Sequence, residues 1–206
     1  MFEALSFDRL ATRQQLRRGH HTDRAHQFAT RHCWPMDVNA EGLEIDDFDV
    51  LGTTYCLVHL NERHQASLRL RRAADGTMLE RAFGDVWARH GGDLAGGLEV
   101  TRLCSGRFLA EPVRQAATVE LLLGLCRFGV TSGQRDLFGI VYPAVARTIQ
   151  RAGWECEVMD RFEHDGRAIV LARWECSSLV DWQLQERLET LEIVRPAAAV
   201  AKIAAA

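Results

Sequence analysis

Alternating apolar and polar positions predict strands over 53–60 (TTYCLVHL) and 66–70 (ASLRL), joined by the polar turn NERHQ. In TMLERAFGDVW (77–87), Met78, Leu79, Ala82, Phe83 and Val86 recur at helical spacing, which predicts one short amphipathic helix. GLEVTRL (97–103) reads as a strand entered through the Gly-rich loop GGDLAGG. EPVRQAATVELLLGLCRFGV (111–130) is apolar nearly all round in its middle, as expected of a helix buried against a sheet. RDLFGIVY (135–142) is a further strand, and PAVARTIQRAG (143–153) a helix punctuated by Pro143 in its first turn and Gly153 past its end. WECEVMD (154–160) and RAIVLARWEC (167–176) read as strands. SSLVDWQLQERLETLEIV (177–194) reads as a closing helix, with Ser178 and Asp181 at capping-box spacing.

The two ends are less regular. Residues 8–33 are rich in Arg, Gln, Ala and His without a clean apolar stripe, which predicts one or two short helices poorly anchored on their own. The Ala-rich end over 196–206 is expected to fray. Strands and helices interleave without a repeat or a linker, so residues 1–206 are expected to form a single α/β domain with a mixed sheet.

Composition narrows the function classes. With 206 residues, 47% of them hydrophobic, the chain can bury a sizeable core. A charged fraction of 26% and a formal net charge of −3 do not point to a nucleic-acid partner. No run of about eighteen apolar residues is present, so no membrane span is expected, and an acid at position 3 with no apolar stretch behind it argues against a signal peptide. The cysteines at 33, 56, 104, 126, 156 and 176 stand singly and read as small buried hydrophobes in a reducing cytosol. His20, His21 and His26 lie close together on a polar segment without a partner at ligand spacing, and read as exposed helix residues rather than as a metal site. Dinucleotide, P-loop, zinc-protease and nucleophile-elbow motifs are all missing.

Candidate chemistry therefore rests on acids and arginines. GLEIDDFD (42–49) crowds Glu44, Asp46, Asp47 and Asp49 just ahead of the first predicted strand. Arg69 interrupts the apolar alternation of SLRL, where burial is expensive without a partner, and a nearby carboxylate could pair with it bidentately. Glu99 and Arg102 share EVTRL but differ in strand parity, so they face opposite sides unless a bulge or the strand's end intervenes. On spacing alone, a structural ion-pair network accounts for these residues as well as a binding site does.

Their order resembles a known family. Arg24, Phe28, Trp34, then E-x-D-x-F-D (Glu44, Asp46, Phe48, Asp49), Arg69, Met78 and Leu79 with Phe83, then E-x-x-R (Glu99, Arg102) is similar to the LuxI-type acyl-homoserine-lactone synthases. The resemblance covers residues 20–105 at motif level and continues more loosely to about 155. It implies an α/β/α sandwich with a mixed central sheet, akin to the GCN5-type N-acyltransferases. It implies a cytoplasmic enzyme that moves an acyl group from an acyl carrier protein, or from acyl-CoA, to the amine of S-adenosylmethionine. Lactonisation would then release 5′-methylthioadenosine and a cell-density signal.

S-adenosylmethionine would be a substrate, with no cofactor or metal required. In that frame Asp46 and Asp49 would meet the ammonium and sulfonium, while Arg69 and Arg102 would pair with the carboxylate or hold the acids. Glu99 would accept the amine proton directly or through water. Arg24, Phe28, Trp34 and Phe83 would bind S-adenosylmethionine, the aromatic faces serving its adenine and sulfonium. Residues 1–35 would form a mobile segment closing over that site. VELLLGLCRF and LFGIVY would wall the acyl tunnel, and backbone N–H groups near 101–105 would hold the thioester oxygen. At Val141, Tyr142, Pro143 and Ala144 the usual threonine is absent, which disfavours a 3-oxo chain. Arg147 and Arg151, four apart on one helix, would dock the acidic carrier protein. An ordinary GCN5-type acetyltransferase using acetyl-CoA is the alternative, although the R/Q-x-x-G-x-G/A loop it would need is missing.

Overall fold

The computed structural model describes the backbone of residues 1–203 and the side chains of residues 1–191. The end expected to fray, 196–206, lies outside the residues whose side chains are described. Seven strands form one sheet in the order β1-β2-β3-β4-β5-β7-β6, with helices on both faces. The strands are β1 (Phe2–Ser6), β2 (Thr54–Leu60), β3 (Arg63–Arg72), β4 (Leu98–Ser105), β5 (Asp136–Val141), β6 (Glu157–His164) and β7 (Arg167–Glu175). Only β4 and β5 run parallel.

One face carries the main core. Leu68, Leu70 and Leu98 of the sheet pack on α5 (Glu111–Ser132), which is buried along much of its length by α7 (Ser178–Ile203) outside it. Gly124 lets β1 close the edge of this layer, because a Cβ there would sit 2.2 Å from the Phe2 ring. α6 (Pro143–Arg151) buries Ile149 on the same side and leaves Arg147 and Arg151 exposed.

The opposite face is partly polar. It is covered by α1 (Phe7–Thr12), α2 (Gln14–Ala25) and a turn of π-helix over His26–Arg31. Further along come α3 (Met78–Ala82) and α4 (Gly84–Leu94), which bury Leu79, Val86 and Leu94 over Phe138 and Leu171.

Several expectations are revised. β1 was not legible in the sequence. The predicted helix over 77–87 is two helices, broken where Phe83 turns out of helical geometry (φ −137, ψ 57). The turn of the β2–β3 hairpin is only Asn61 and Glu62, both at positive φ (48 and 62). The helix α7 is capped by Ser177, whose Oγ accepts the Val180 N–H at 3.3 Å, and not by Ser178; Asp181 instead pairs with Arg127. Cys33 is exposed rather than buried. His20 and His21 are buried, contrary to the reading of them as exposed. The N-terminal segment is better anchored than its lack of an apolar stripe suggests: β1 joins the sheet, and α2 buries Leu16, His20, His21, Asp23, Arg24 and Ala25. Its inner face is polar, which is why apolar periodicity does not reveal it. No helix among the described residues is long and apolar enough to cross a membrane.

Candidate functional site

The acids of 44–49 meet the chain's own arginines. Arg24, delivered by α2 and fully buried, donates from Nε to Glu44 at 2.5 Å and from its two terminal nitrogens to both oxygens of Asp49 at 2.8 and 2.9 Å. Arg69 of β3 donates to Asp46 at 2.5 Å and to the Thr101 hydroxyl at 3.1 Å, and lies 3.2 Å from Asp49. Arg102 of β4 donates to Asp46 at 2.6 Å and to Glu44 at 3.2 Å. Three carboxylates thus face three guanidinium groups in a single buried layer, which is how such charges survive burial.

A bulge aligns the two strands that carry this layer. Arg69 pairs with Thr101 but Ser67 pairs with Cys104, so β4 has one residue more than β3 across the interval. Arg102 takes the strain with φ +58. This turns Arg102 to the same face as Thr101 and resolves the parity conflict between Glu99 and Arg102. Positive φ at a non-glycine residue is costly, so the surrounding ion pairs must hold it.

The acids differ in what they have left to offer. Asp49 is buried and saturated: besides the arginines it accepts the Tyr55 hydroxyl at 2.8 Å and the Asp46 N–H at 2.9 Å. Burial pushes its carboxyl up, but Arg24 and Arg69 override this and hold it far below the ordinary range. Asp49 therefore has no acceptor position left over among the described residues, which makes it a builder of the cluster. Asp46 is the carboxylate at the edge, its side chain 20% exposed. Burial raises its carboxyl as well, but Arg69 and Arg102 bring it down. It accepts from Phe48 N–H, Arg69 and Arg102, leaving one of roughly four acceptor positions open. On the donor side, the Arg69 Nη2 is buried without a hydrogen-bond partner among the described residues.

Glu99 lies on the same face, two positions from Thr101. It accepts the Met78 and Leu79 N–H groups at 2.8 and 2.7 Å, and so anchors the start of α3. Burial raises its pKa; those two N–H bonds and the nearby Arg69 and Arg71 pull the other way without cancelling it. The reading of Glu99 as a mere salt-bridge partner finds no arginine in direct contact with it among the described residues.

Aromatic residues flank the cluster. Phe28 lies under Arg102 at 5.4 Å and stacks on Trp34 at 5.2 Å. Trp34 Nε1 donates to the Tyr142 hydroxyl at 2.9 Å. Phe83 stands apart, edge-on to Phe162 at 5.3 Å and His164 at 5.0 Å at the far end of α3. Arg147 and Arg151 belong to a separate exposed surface. Sequence reasoning missed Thr101, Tyr55 and Tyr142. Tyr55 had a signal, since it stands directly opposite Arg69 in the β2–β3 hairpin; Tyr142 had none.

Beside Glu99 the sheet opens. β4 and β5 are paired only at Leu98–Leu137 and Glu99–Phe138, and beyond them β5 follows β7 alone. The split leaves backbone groups of β4 past Val100 and of β5 past Gly139 without partners in each other. Val100, Leu103 and Val141, beside the split, pack against the core on the side of α5.

Comparison with known proteins agrees with this architecture. A probable acyl-homoserine-lactone synthase of Sinorhizobium fredii is 29% identical over 175 residues, covering 82% of this chain and 84% of that protein. Among solved structures, a CoA-dependent acyl-homoserine lactone synthase, BjaI, with SAM and isopentyl-CoA, matches with TM-score 0.81 at 18% identity, over 92% of this chain and 89% of that one. An acyl-CoA N-acyltransferase from Pseudomonas aeruginosa shares the fold at TM-score 0.55 and 13% identity, over 84% of this chain and 98% of that one. A family model described as autoinducer synthase matches residues 9–179, which is most of the chain. The chain belongs to the autoinducer synthase family and is an acyltransferase of the acyl-homoserine-lactone synthase type.

Proposed function

We propose that the enzyme acylates the α-amine of S-adenosylmethionine from a thioester donor, and that the acylated product closes to a homoserine lactone with release of 5′-methylthioadenosine. One observation carries this reading: in a layer where every other charge is matched, the free valences are a buried donor, Arg69 Nη2, beside an edge acceptor, Asp46. An amino acid ligand supplies their complement, its carboxylate on Arg69 and its ammonium on Asp46. Phe28 and Trp34 offer flat apolar faces for the adenine.

Glu99 is the proposed proton acceptor. Its raised pKa suits a base, and with two of roughly four acceptor positions taken by the Met78 and Leu79 N–H groups it accepts the proton directly or through a water. The donor thioester fits the split between β4 and β5, where N–H groups that the two strands do not give to each other could stabilise the oxyanion and Val100, Leu103 and Val141 could take the acyl chain. Ring closure then asks for proximity of the carboxylate to the carbon beside sulfur. Reaction in the cytoplasm and closure of residues 1–35 over the site belong to the same proposal.

The donor is an acyl carrier protein in this reading, docked on Arg147 and Arg151; the CoA-dependent relative makes acyl-CoA the rival. Purified enzyme given S-adenosylmethionine with either donor should yield 5′-methylthioadenosine and an N-acyl lactone by mass spectrometry. If neither product forms with a series of acyl lengths on both carriers, the proposal fails.

A further inference from the structure

Under α2 lies a second buried polar layer that the proposed chemistry does not use. Asp23 Oδ2 is 2.7 Å from His64 Nδ1, His64 Nε2 is 2.8 Å from Ser67 Oγ, and Ser67 Oγ is 2.9 Å from His20 Nδ1. The His20 ring packs at 4.7 Å from that of His21, 5.6 Å from that of His64 and 5.4 Å from Tyr55. His21 Nδ1 bonds the Glu44 carbonyl at 2.9 Å. All of these side chains are buried, and His20 Nε2 has no partner among the described residues.

Every carboxylate that faces this layer is already taken. Asp23 on α2 holds His64, with Arg107 of the loop after β4 3.8 Å away. Glu44, Asp46 and Asp49 hold Arg24 from α2, Arg69 from β3 and Arg102 from β4. β2 contributes the Tyr55 hydroxyl, already given to Asp49, and β4 the Cys104 thiol, 3.4 Å from Ser67. A proton added to His20 would therefore meet Arg24, Arg69 and His64, and one added to His21 would meet Arg24 and Arg17 of its own helix, with Asp49 the one facing acid and already paired. On His20 the proton would also make Nδ1 a donor only, toward a Ser67 hydroxyl that His64 Nε2 already contacts.

We propose that seating of α2 on the sheet is acid-sensitive: protonation of His20 and His21 releases α2, and Arg24 with it, while the apolar core on the other face stays folded. Burial and Arg24 hold both imidazoles neutral, His21 down to about 4 and His20, which His21 and His64 also face, well below its ordinary range. Protonating them thus opposes the folded seat. Among the described residues, the apolar cluster that α5 forms with the sheet and α7 contains no histidine.

Amide hydrogen exchange across a pH series, corrected for intrinsic rates, tests this on the full chain without substrate. Between about pH 7.5 and about pH 5, peptides from 14–25 should lose at least tenfold protection while peptides from 111–132 keep theirs. His20→Asn and His21→Asn should each retain protection of α2 to lower pH than the natural chain. Protection lost together in both helices, or kept in α2 throughout the series, overturns the proposal; the natural chain alone decides this should a variant fail to fold.

Discussion

Individual side chains divide here into those that build the cluster and those left to meet a ligand. Asp49 belongs to the first kind. Asp49→Asn would leave Arg24 short of one charge in a buried layer and should cost about 3–5 kcal/mol of stability, read by denaturant titration. Glu99 anchors α3 and is the proposed proton acceptor. Glu99→Gln should leave the affinity for S-adenosylmethionine within about threefold while the acylation rate falls by roughly a hundredfold or more. It should also remove the low-pH limb of that rate, because only the ionised carboxylate accepts the proton and burial has raised its pKa. Rates in Glu99→Gln equal to those of the natural chain would take Glu99 out of the mechanism and leave it as an anchor for α3.

Elements set the pH response. Burial disfavours charge on His64, but Asp23 and the neighbouring Cys104 outweigh it and push the imidazole up to about 9. The folded pKa exceeds the unfolded value of about 6.5, so this pair's contribution is complete below about pH 6.5 and is lost as pH rises through about 9. Asp23→Asn should therefore destabilise by about 3 kcal/mol near pH 6, with a smaller effect above pH 9, by thermal melts across the series. A penalty that does not shrink at high pH would mean that Asp23 acts through its hydrogen bonds alone. The element scale is also where the sequence was hardest to read. α5 and β7 announce themselves because their burial is apolar. α2 does not, since its inward residues are histidine, aspartate and arginine, and the bulge at Arg102 is a backbone event with no sequence signature. Phe83 sits at helical spacing from Leu79, yet its backbone breaks the helix there.

At the level of the whole molecule, the interleaving of strands and helices was legible and the strand order was not, because β1 is short and β6 and β7 invert beside β5. The ion cluster was legible as composition, with acids before a strand and arginines within strands. Which acid faces outward depended on Tyr55, Thr101 and the bulge. Docking belongs to this scale too. Arg147→Glu with Arg151→Glu should raise KM for an acyl carrier protein donor about tenfold or more and raise KM for the matching acyl-CoA, whose phosphates are also anionic, by less. Equal effects on both donors would move the docking site elsewhere.

Arg69 Nη2, buried without a hydrogen-bond partner among the described residues, is the proposed seat of the ligand's carboxylate. Calorimetry of S-adenosylmethionine and its decarboxylated analogue against the natural chain and Arg69→Met addresses it directly. The natural chain should prefer the carboxylate-bearing ligand by at least tenfold, about 1.4 kcal/mol, and the variant should lose most of that preference. Equal affinities for the two ligands in the natural chain, or an undiminished preference in a folded Arg69→Met, would contradict the account.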